Sequence, residues 1–248
     1  MRWEDESGAA LEAAAGVASV AILPLGAVEA HGPHLAVGAD GRIAEAMARE
    51  GARRLRAEGI EVRILPTLAY APAPFAAGFA GTLSIRPETL SALVEDVADA
   101  LAARGVGVLA LANAHFDPAQ VGALRAAVER IAAKGRPRVA FPDLTRRRLA
   151  ERLTEEFRSG ACHGGRYETS ILLAERPELV DEERRRALPA LDVSLTAAIA
   201  AGHAEFRAAG IDAAYCGDPA AATAEEGRDT VARLGEILAE AVRSALAV

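Results

Sequence analysis

Aromatic side chains are scarce: six Phe, three Tyr and one Trp make up 4% of 248 residues. That leaves little material for the stacking platforms on which single-stranded nucleic acid is held. Excess basic charge is also missing. Lys and Arg number 28 against 35 Asp and Glu, a formal net charge of −7, which argues against a nucleic-acid partner. Cys162 and Cys216 are the only cysteines, too few for a disulfide framework and not spaced as C-x-x-C. Cys162 precedes His163 and so admits a thiol-nucleophile reading as a minor alternative. No apolar run reaches the roughly 20 residues that span a bilayer, so no membrane partner is expected. There is no P-loop, no G-x-G-x-x-G fingerprint and no internal repeat. No linker-like stretch divides the chain, so residues 1–248 read as a single domain. The start Met1-Arg2-Trp3-Glu4-Asp5-Glu6 is acidic where a signal peptide is basic and then apolar, and a cytoplasmic location is expected.

What is present is an alternation of apolar runs and alanine-rich helical stretches, with 51% hydrophobic content to fill a core. Ala18–Leu25, Glu61–Leu68 and Val106–Ala112 have the length and Val/Ile/Leu content of buried parallel strands, with Arg138–Phe141 a weaker fourth. Between them Arg42–Glu58, Pro87–Arg104 and Pro118–Lys134 read as helices, stopped by Gly59, Gly105 and Gly135. Gly165–Glu175 and an amphipathic tail, Ala224–Ala247, read as two more. Strand and helix in alternation imply right-handed crossovers, hence an α/β fold with a mostly parallel sheet and helices on both faces.

Four of the five histidines fall in three short phrases: Glu29-Ala30-His31-Gly32-Pro33-His34-Leu35 running to Asp40, Asn113-Ala114-His115-Phe116-Asp117, and His163-Gly164-Gly165-Arg166-Tyr167-Glu168-Thr169-Ser170. Imidazole and carboxylate are the ligands of zinc, manganese and iron. Glu29 and His31 are two apart, so on extended backbone they point the same way. The first and third strands end just before Glu29/His31 and Asn113/His115, which brings two phrases to the carboxyl edge where such sheets bind ligands. Glu29, His31, Asp40, His115 and Glu168 together suit two divalent ions about 3.5–4 Å apart that activate a water and polarise a carbonyl.

Several of these residues have ordinary alternatives. His34 follows Gly32-Pro33 and is expected to pack a turn, and His203 is expected to be a solvated histidine in a helical stretch with Glu205 and Arg207. Asp117 suits a helix cap, and Glu168 suits the start of its helix. The segment Tyr70–Gly81 lacks any period and is read either as a packed connector or as a wall over the site.

The three phrases resemble those of the creatininase (creatinine amidohydrolase) family. Glu29 to Asp40 is similar to the family's E-Q-H-G-P-H-L-P-L-x-T-D, Asn113-Ala114-His115 to N-G-H, and His163 to Ser170 to H-A-G-x-x-E-T-S. Gly81-Thr82-Leu83-Ser84-Ile85 resembles the F-P-G-T-x-S segment, and Gly217-Asp218-Pro219 with Ala222 to Gly227 resembles G-D-P-x-x-A-T-x-E-x-G. The resemblance implies a three-layer α/β/α sandwich, two divalent metals, and hydrolysis of an amide or peptide C–N bond in a homo-oligomer, commonly a hexamer. On its terms Glu29 and His115 hold one metal, His31 and Glu168 the other, and Asp40 bridges them. Asp117 competes with Glu168 for the last position, and Glu168 ranks first. His163 matches the family's proton shuttle to the leaving nitrogen, an assignment that suits an ordinary histidine pKa. His163 and Glu168 are therefore the candidate catalytic residues, with Tyr70, Phe75, Phe79 and Phe116 as candidates for contact with substrate.

The chain departs from the pattern at Ala30, Ala39, Ala114 and Phe116-Asp117, and Ala73-Pro74-Phe75-Ala76 stands where many members carry S-x-E-H. Polar groups have become apolar ones, which points to a less polar substrate. Creatinine is disfavoured because the only tryptophan is Trp3, whereas the named enzyme uses tryptophans near its site. A peptide or small amide fits better, including a precursor peptide that is trimmed. The competing class is a non-catalytic metal- or ligand-binding protein that keeps the fold.

Overall fold

The computed structural model describes residues 1–14, 19–135 and 137–247. Among these, four strands, β1 (Val20–Leu25), β2 (Val62–Ile64), β3 (Val108–Asn113) and β4 (Arg138–Ala140), form one sheet in the order β2-β1-β3-β4. Every pairing in it is parallel. The helices are α1 (Gly8–Ala13), α2 (Ala39–Ala57), α3 (Pro87–Ala103), α4 (Pro118–Lys134), α5 (Arg147–Ala150), α6 (Glu155–Ser159), α7 (Arg166–Glu175), α8 (Glu182–Ala187), α9 (Leu195–Ala200) and α10 (Ala224–Leu246).

Alternation along the central strands divides the core into two layers. Val20 and Ile22 of β1, with Val108, Ala110 and Ala112 of β3, pack among α2, α7 and α10. Ala21, Leu23 and Leu25, with Leu109 and Leu111, face α3 and α4. The result is the expected α/β/α sandwich. Helix starts and stops follow local chemistry. Pro87 and Pro118 open α3 and α4 where no amide partner is needed, Asp117 caps α4, and Thr223 caps α10 by accepting from the Glu226 amide. Gly59, Gly105 and Gly135 all take positive φ. No helix among the described residues is long and apolar enough to cross a membrane.

Boundaries moved in instructive ways. Ala18, the expected first residue of β1, lies outside the described residues. The second strand stops at Ile64, short of the expected Leu68, because Pro66 cannot continue a ladder; Leu65 and Leu68 still donate to the Ile22 and Pro24 carbonyls. The first long helix begins at Ala39, three residues before the expected Arg42, so Asp40 lies in its first turn, where a carboxylate suits the helix dipole. His203 is exposed as expected but follows α9 instead of lying within a helix.

The N-terminus of α2 lies directly against the end of β1. A β-carbon added at Gly26 would collide with the Gly41 amide nitrogen and stand 2.7 Å from the Asp40 carbonyl carbon. We therefore expect Gly26→Ala to lower unfolding stability in urea by roughly 1–3 kcal/mol, the usual penalty of overpacking. A variant as stable as the parent would show that this approach does not constrain α2.

Candidate metal centre

Five buried side chains from separate elements meet beyond the carboxyl ends of β1 and β3. Glu29 and His31 come from the loop after β1, Asp40 from α2, His115 from the turn after β3, and Glu168 from the first turn of α7. Glu29 and His31 form a donor group with His163, and the five among themselves form two, Glu29–Asp40–His115 and His31–Asp40–Glu168; within each group the candidate ligand atoms lie within 4.8 Å of one another. Asp40 belongs to both and divides its oxygens between them: Oδ1 is 3.0 Å from His31 Nε2, and Oδ2 is 3.0 Å from His115 Nδ1. Glu29 Oε1 stands 3.0 Å from His115 Nδ1, and Glu168 Oε2 3.5 Å from His31 Nε2.

Neighbouring backbone fixes which imidazole nitrogen each histidine presents. His115 Nε2 donates to the Pro72 carbonyl at 2.9 Å, leaving Nδ1 as a lone pair toward the carboxylates. His31 Nδ1 donates to the Glu29 carbonyl at 3.1 Å, which leaves Nε2 facing Asp40. The Asn113 amide holds the His115 carbonyl at 2.6 Å and is itself held by Gln120. Thr82 Oγ1 accepts from the Ala30 amide between Glu29 and His31, and Ser84 Oγ accepts from the Ala73 amide beside Pro72. Those contacts give the Gly81-Thr82-Leu83-Ser84 segment a physical role: its hydroxyls brace two loops that carry ligands or hold them.

The electrostatics call for cations. Burial disfavours a charged His31, yet Asp40, Glu168 and Glu29 outweigh it and push its pKa up to about 10. His115 is likewise raised well above the ordinary value, with burial overcome by Glu29 and Asp40. Burial also opposes ionisation of Asp40, but His31 and His115 hold it well below the usual carboxylate range. Burial and the charges of Asp40 and Glu29 raise Glu168 to about 8, against the pull of His31. Asp40 Oδ2 is buried 3.0 Å from His115 Nδ1, and only a proton or a cation between them gives it a partner. Lone pairs this close need a proton or a cation between them, and the donor set fits divalent transition ions.

His163 lines the same site. Its Nε2 donates to the Ala30 carbonyl at 2.9 Å, its Nδ1 lies 3.7 Å from Glu29 Oε1, and its ring is stacked between His31 and Phe206 with centroids 4.4 Å from each. The expectation of an ordinary pKa fails here: burial and then the charge on His31 lower it to about 4. His34 fills the packing role expected of it, its Nε2 3.0 Å from Thr169 Oγ1. Asp117 spends Oδ1 on the Ala119 amide and Oδ2 on the Phe75 amide, and it belongs to none of these donor groups. Cys162 has its thiol pKa raised well above the ordinary value by burial and then by Glu168, the opposite of an activated nucleophile.

A cavity of about 680 Å³ opens above the cluster, lined by Glu29, Asp40, His115, His163 and Glu168, by apolar side chains, and by the charged residues Arg125, Arg147, Glu151 and Arg158. Phe75 and Phe116 are among the walls, as expected. Tyr70 and Phe79 are not. Tyr70 is 61% exposed, while Ala71, Pro72 and Ala73 after it are buried. Phe79 instead packs on Phe206 and under the Arg207 guanidinium. Sequence reasoning missed Phe157, Phe206, Leu195 and Ile199, which line the cavity from a region without a strong period.

Comparison with known proteins agrees with this geometry. The family model for creatininase, described as creatinine amidohydrolase, matches residues 4–242. The mycofactocin precursor peptide peptidase of Mycobacterium tuberculosis is 36% identical over 214 residues, covering 84% of this chain and 78% of that protein. The creatinine amidohydrolase of Pseudomonas putida is 29% identical over 180 residues, covering 66% and 67%. A creatininase variant complexed with creatine superposes with a TM-score of 0.73 at 23% identity, covering 98% of each chain. A manganese creatininase gives 0.70 at 24%, covering 98% of this chain and 96% of that one.

The shifted pKa values predict how protons compete with metal. With values of about 10 for His31 and about 8 for Glu168, both hold protons at neutral pH in metal-stripped protein, and an entering ion must displace them. Zinc affinity should therefore rise with pH through about 8 and keep rising toward about 10. Calorimetry in buffers of different ionisation heat should show protons released on binding at pH 7. Proton-neutral binding would contradict the charge balance described here.

Proposed function

The chain belongs to the creatininase family, and from that premise we propose a metal-dependent amidohydrolase that cleaves an amide or peptide carbon–nitrogen bond. The observation that carries the reading is the divided Asp40 carboxylate, one oxygen toward His31 and the other toward His115. Glu29, Asp40 and His115 would hold one divalent ion, and His31, Asp40 and Glu168 the second. Zinc, manganese and iron all suit such donors, and manganese occupies one related creatininase. When bound, two such ions supply Lewis acidity, polarising a carbonyl and lowering the pKa of a water.

The protein's own groups do the rest. Phe75, Phe116, Phe157 and Phe206 give the cavity much of its apolar wall, beside Arg125, Arg147, Glu151 and Arg158. Trp3 packs at the far side of the sheet among residues facing α3, so the aromatic walls here are phenylalanines. That supports an apolar amide or peptide over creatinine as substrate, in keeping with the precursor-peptide peptidases among the relatives. His163 is neutral at pH 7, with Nε2–H committed to Ala30 and Nδ1 free to take a proton. Its low pKa makes the imidazolium, once formed, a strong acid toward a departing nitrogen.

A soluble cytoplasmic homo-oligomer completes the proposal, supported by the exposed apolar residues Val37, Tyr70 and Leu83. A monomer at micromolar concentration by light scattering would remove the oligomer.

Metal analysis tests the core of the reading: protein grown with added zinc and manganese should carry two divalent ions per chain, and well under one would defeat it. His31→Ala and Asp40→Ala should lose metal, whereas His34→Ala, whose imidazole bonds Thr169 and belongs to no donor group among the described residues, should keep it. His163→Ala should retain its metals and lose roughly 10²–10⁴-fold in turnover on the best substrate from a panel of peptides, formamides and creatinine. Loss of metal in step with activity would make His163 a ligand support instead of a proton carrier.

A further inference from the structure

A carboxylate outside the donor set ties the site together. Glu156, on α6, accepts from three backbone amides in two distant segments: Arg166 at 2.9 Å and Tyr167 at 2.7 Å, which open α7, and Asp218 at 2.7 Å in the Gly217-Asp218-Pro219 turn. The N-cap of α7 is Gly165, which has no side chain to cap the helix, so Glu156 satisfies the amides that a cap would serve.

The adjoining glycines are shaped around this carboxylate. A β-carbon at Gly165 would stand 2.5 Å from the Cys216 carbonyl oxygen and 2.8 Å from both Glu156 oxygens, and one at Gly217 would collide with Glu156 Oε1 and with the Ala161 carbonyl oxygen. Gly217 also holds φ at +90°, which disfavours a side chain independently. Gly165 and Gly217 thus make room for the half-buried Glu156 carboxylate and for the Cys216 and Ala161 carbonyls beside it.

What depends on it is Glu168. That residue lies in the first turn of α7, and its Oε2 bends back to accept from the Gly164 amide at 2.7 Å. The Cys216 amide holds the His163 carbonyl at 2.8 Å, so the same clasp joins the two loops around His163. Phe157, next in sequence, delivers its ring to the cavity wall. Glu29, Asp40 and His115 come from other elements that Glu156 does not touch.

We infer that Glu156 is the positioning residue for Glu168, clasping the start of α7 to the Gly217-Asp218 turn so that the His31–Asp40–Glu168 group keeps its register. The inference rests on the two-ion reading of the site. It predicts an effect confined to one ion: freeing the start of α7 should loosen the group containing Glu168 and leave Glu29–Asp40–His115 intact.

The test is calorimetric titration of zinc into metal-stripped protein, for the wild type, Glu156→Gln and Thr154→Ala. Glu156→Gln keeps the shape but turns one of the two acceptor oxygens into an NH2 group, so either the Tyr167 amide or the Arg166 and Asp218 pair faces a donor. Thr154→Ala removes the α6 cap, a bond to the Phe157 amide, without touching α7 or the Gly217 turn, and so controls for simple loosening of α6. Glu156→Gln should weaken one of two zinc events by about 10–100-fold, the usual worth of a residue that orients a ligand, and leave the other unchanged. Thr154→Ala should leave both unchanged. Should Glu156→Gln fail to fold, Glu156→Asp, one methylene shorter with its charge kept, should show the same one-sided weakening. Both events unchanged, or both weakened together, would overturn the inference. Wild-type protein that takes up no zinc would instead sink the metal reading on which it stands.

Discussion

Burying three carboxylates within reach of one another is the constraint from which the rest of this structure follows. Glu29, Asp40 and Glu168 are each at most 3% exposed, and an ionised carboxylate taken from water into a protein interior costs several kcal/mol unless it is compensated. The two imidazoles in their midst respond by holding protons far beyond the ordinary range. Such a cluster is an anionic hole waiting for positive charge, and protons and divalent ions compete to fill it. The backbone bonds to Pro72 and to Glu29 leave the other nitrogen of each histidine aimed inward, where a proton or a metal can take its lone pair.

Two kinds of cohesion divide the labour. The sheet and its helices are joined by apolar packing on both faces, which asks only that side chains be hydrophobic and of suitable volume. The loops at the carboxyl edge cannot pack in that way, since they carry the charges. They are joined by directed polar bonds: Thr82 to Ala30, Ser84 to Ala73, Asn113 to His115, Asp117 to Phe75 and Glu156 to three amides. Directed bonds are exacting about residue type. This explains why the loops bear recognisable phrases while the helices are nearly generic alanine-rich sequence.

That contrast also sets how much was legible in the sequence. The strand and helix alternation was plain because burial on both faces forces continuous apolar runs in β1 and β3. Glu29, His31, Asp40, His115 and Glu168 stood out because their spacing matches the chemistry of ligation, and the structure brings all five together. Glu156 did not, because it sits in a charged stretch, Thr154-Glu155-Glu156, where a carboxylate looks solvated; only the fold brings the α7 and Gly217 amides to it. Tyr70 was placed on the wrong side because Tyr70–Gly81 has no period from which a facing direction can be read. The pKa of His163 lay beyond sequence altogether, being set by burial and by a stacked neighbour 132 positions away, from His31 to His163.

The fixed ring of His163 limits how a substrate can lie. Its ring lies against His31 and Phe206 and its Nε2 is committed to the Ala30 carbonyl, so a turn that exchanged its nitrogens would give up the Ala30 bond. Proton traffic through His163 must then use Nδ1, which is the nitrogen nearer Glu29. On the proposed reaction, the departing nitrogen of the substrate must come within reach of Nδ1, beside the Glu29, His115 and Asp40 cluster. Specificity then turns on which portion is apolar enough to lie against Phe116, Phe157 and Phe206, a choice made by the walls and not by the ligand cluster.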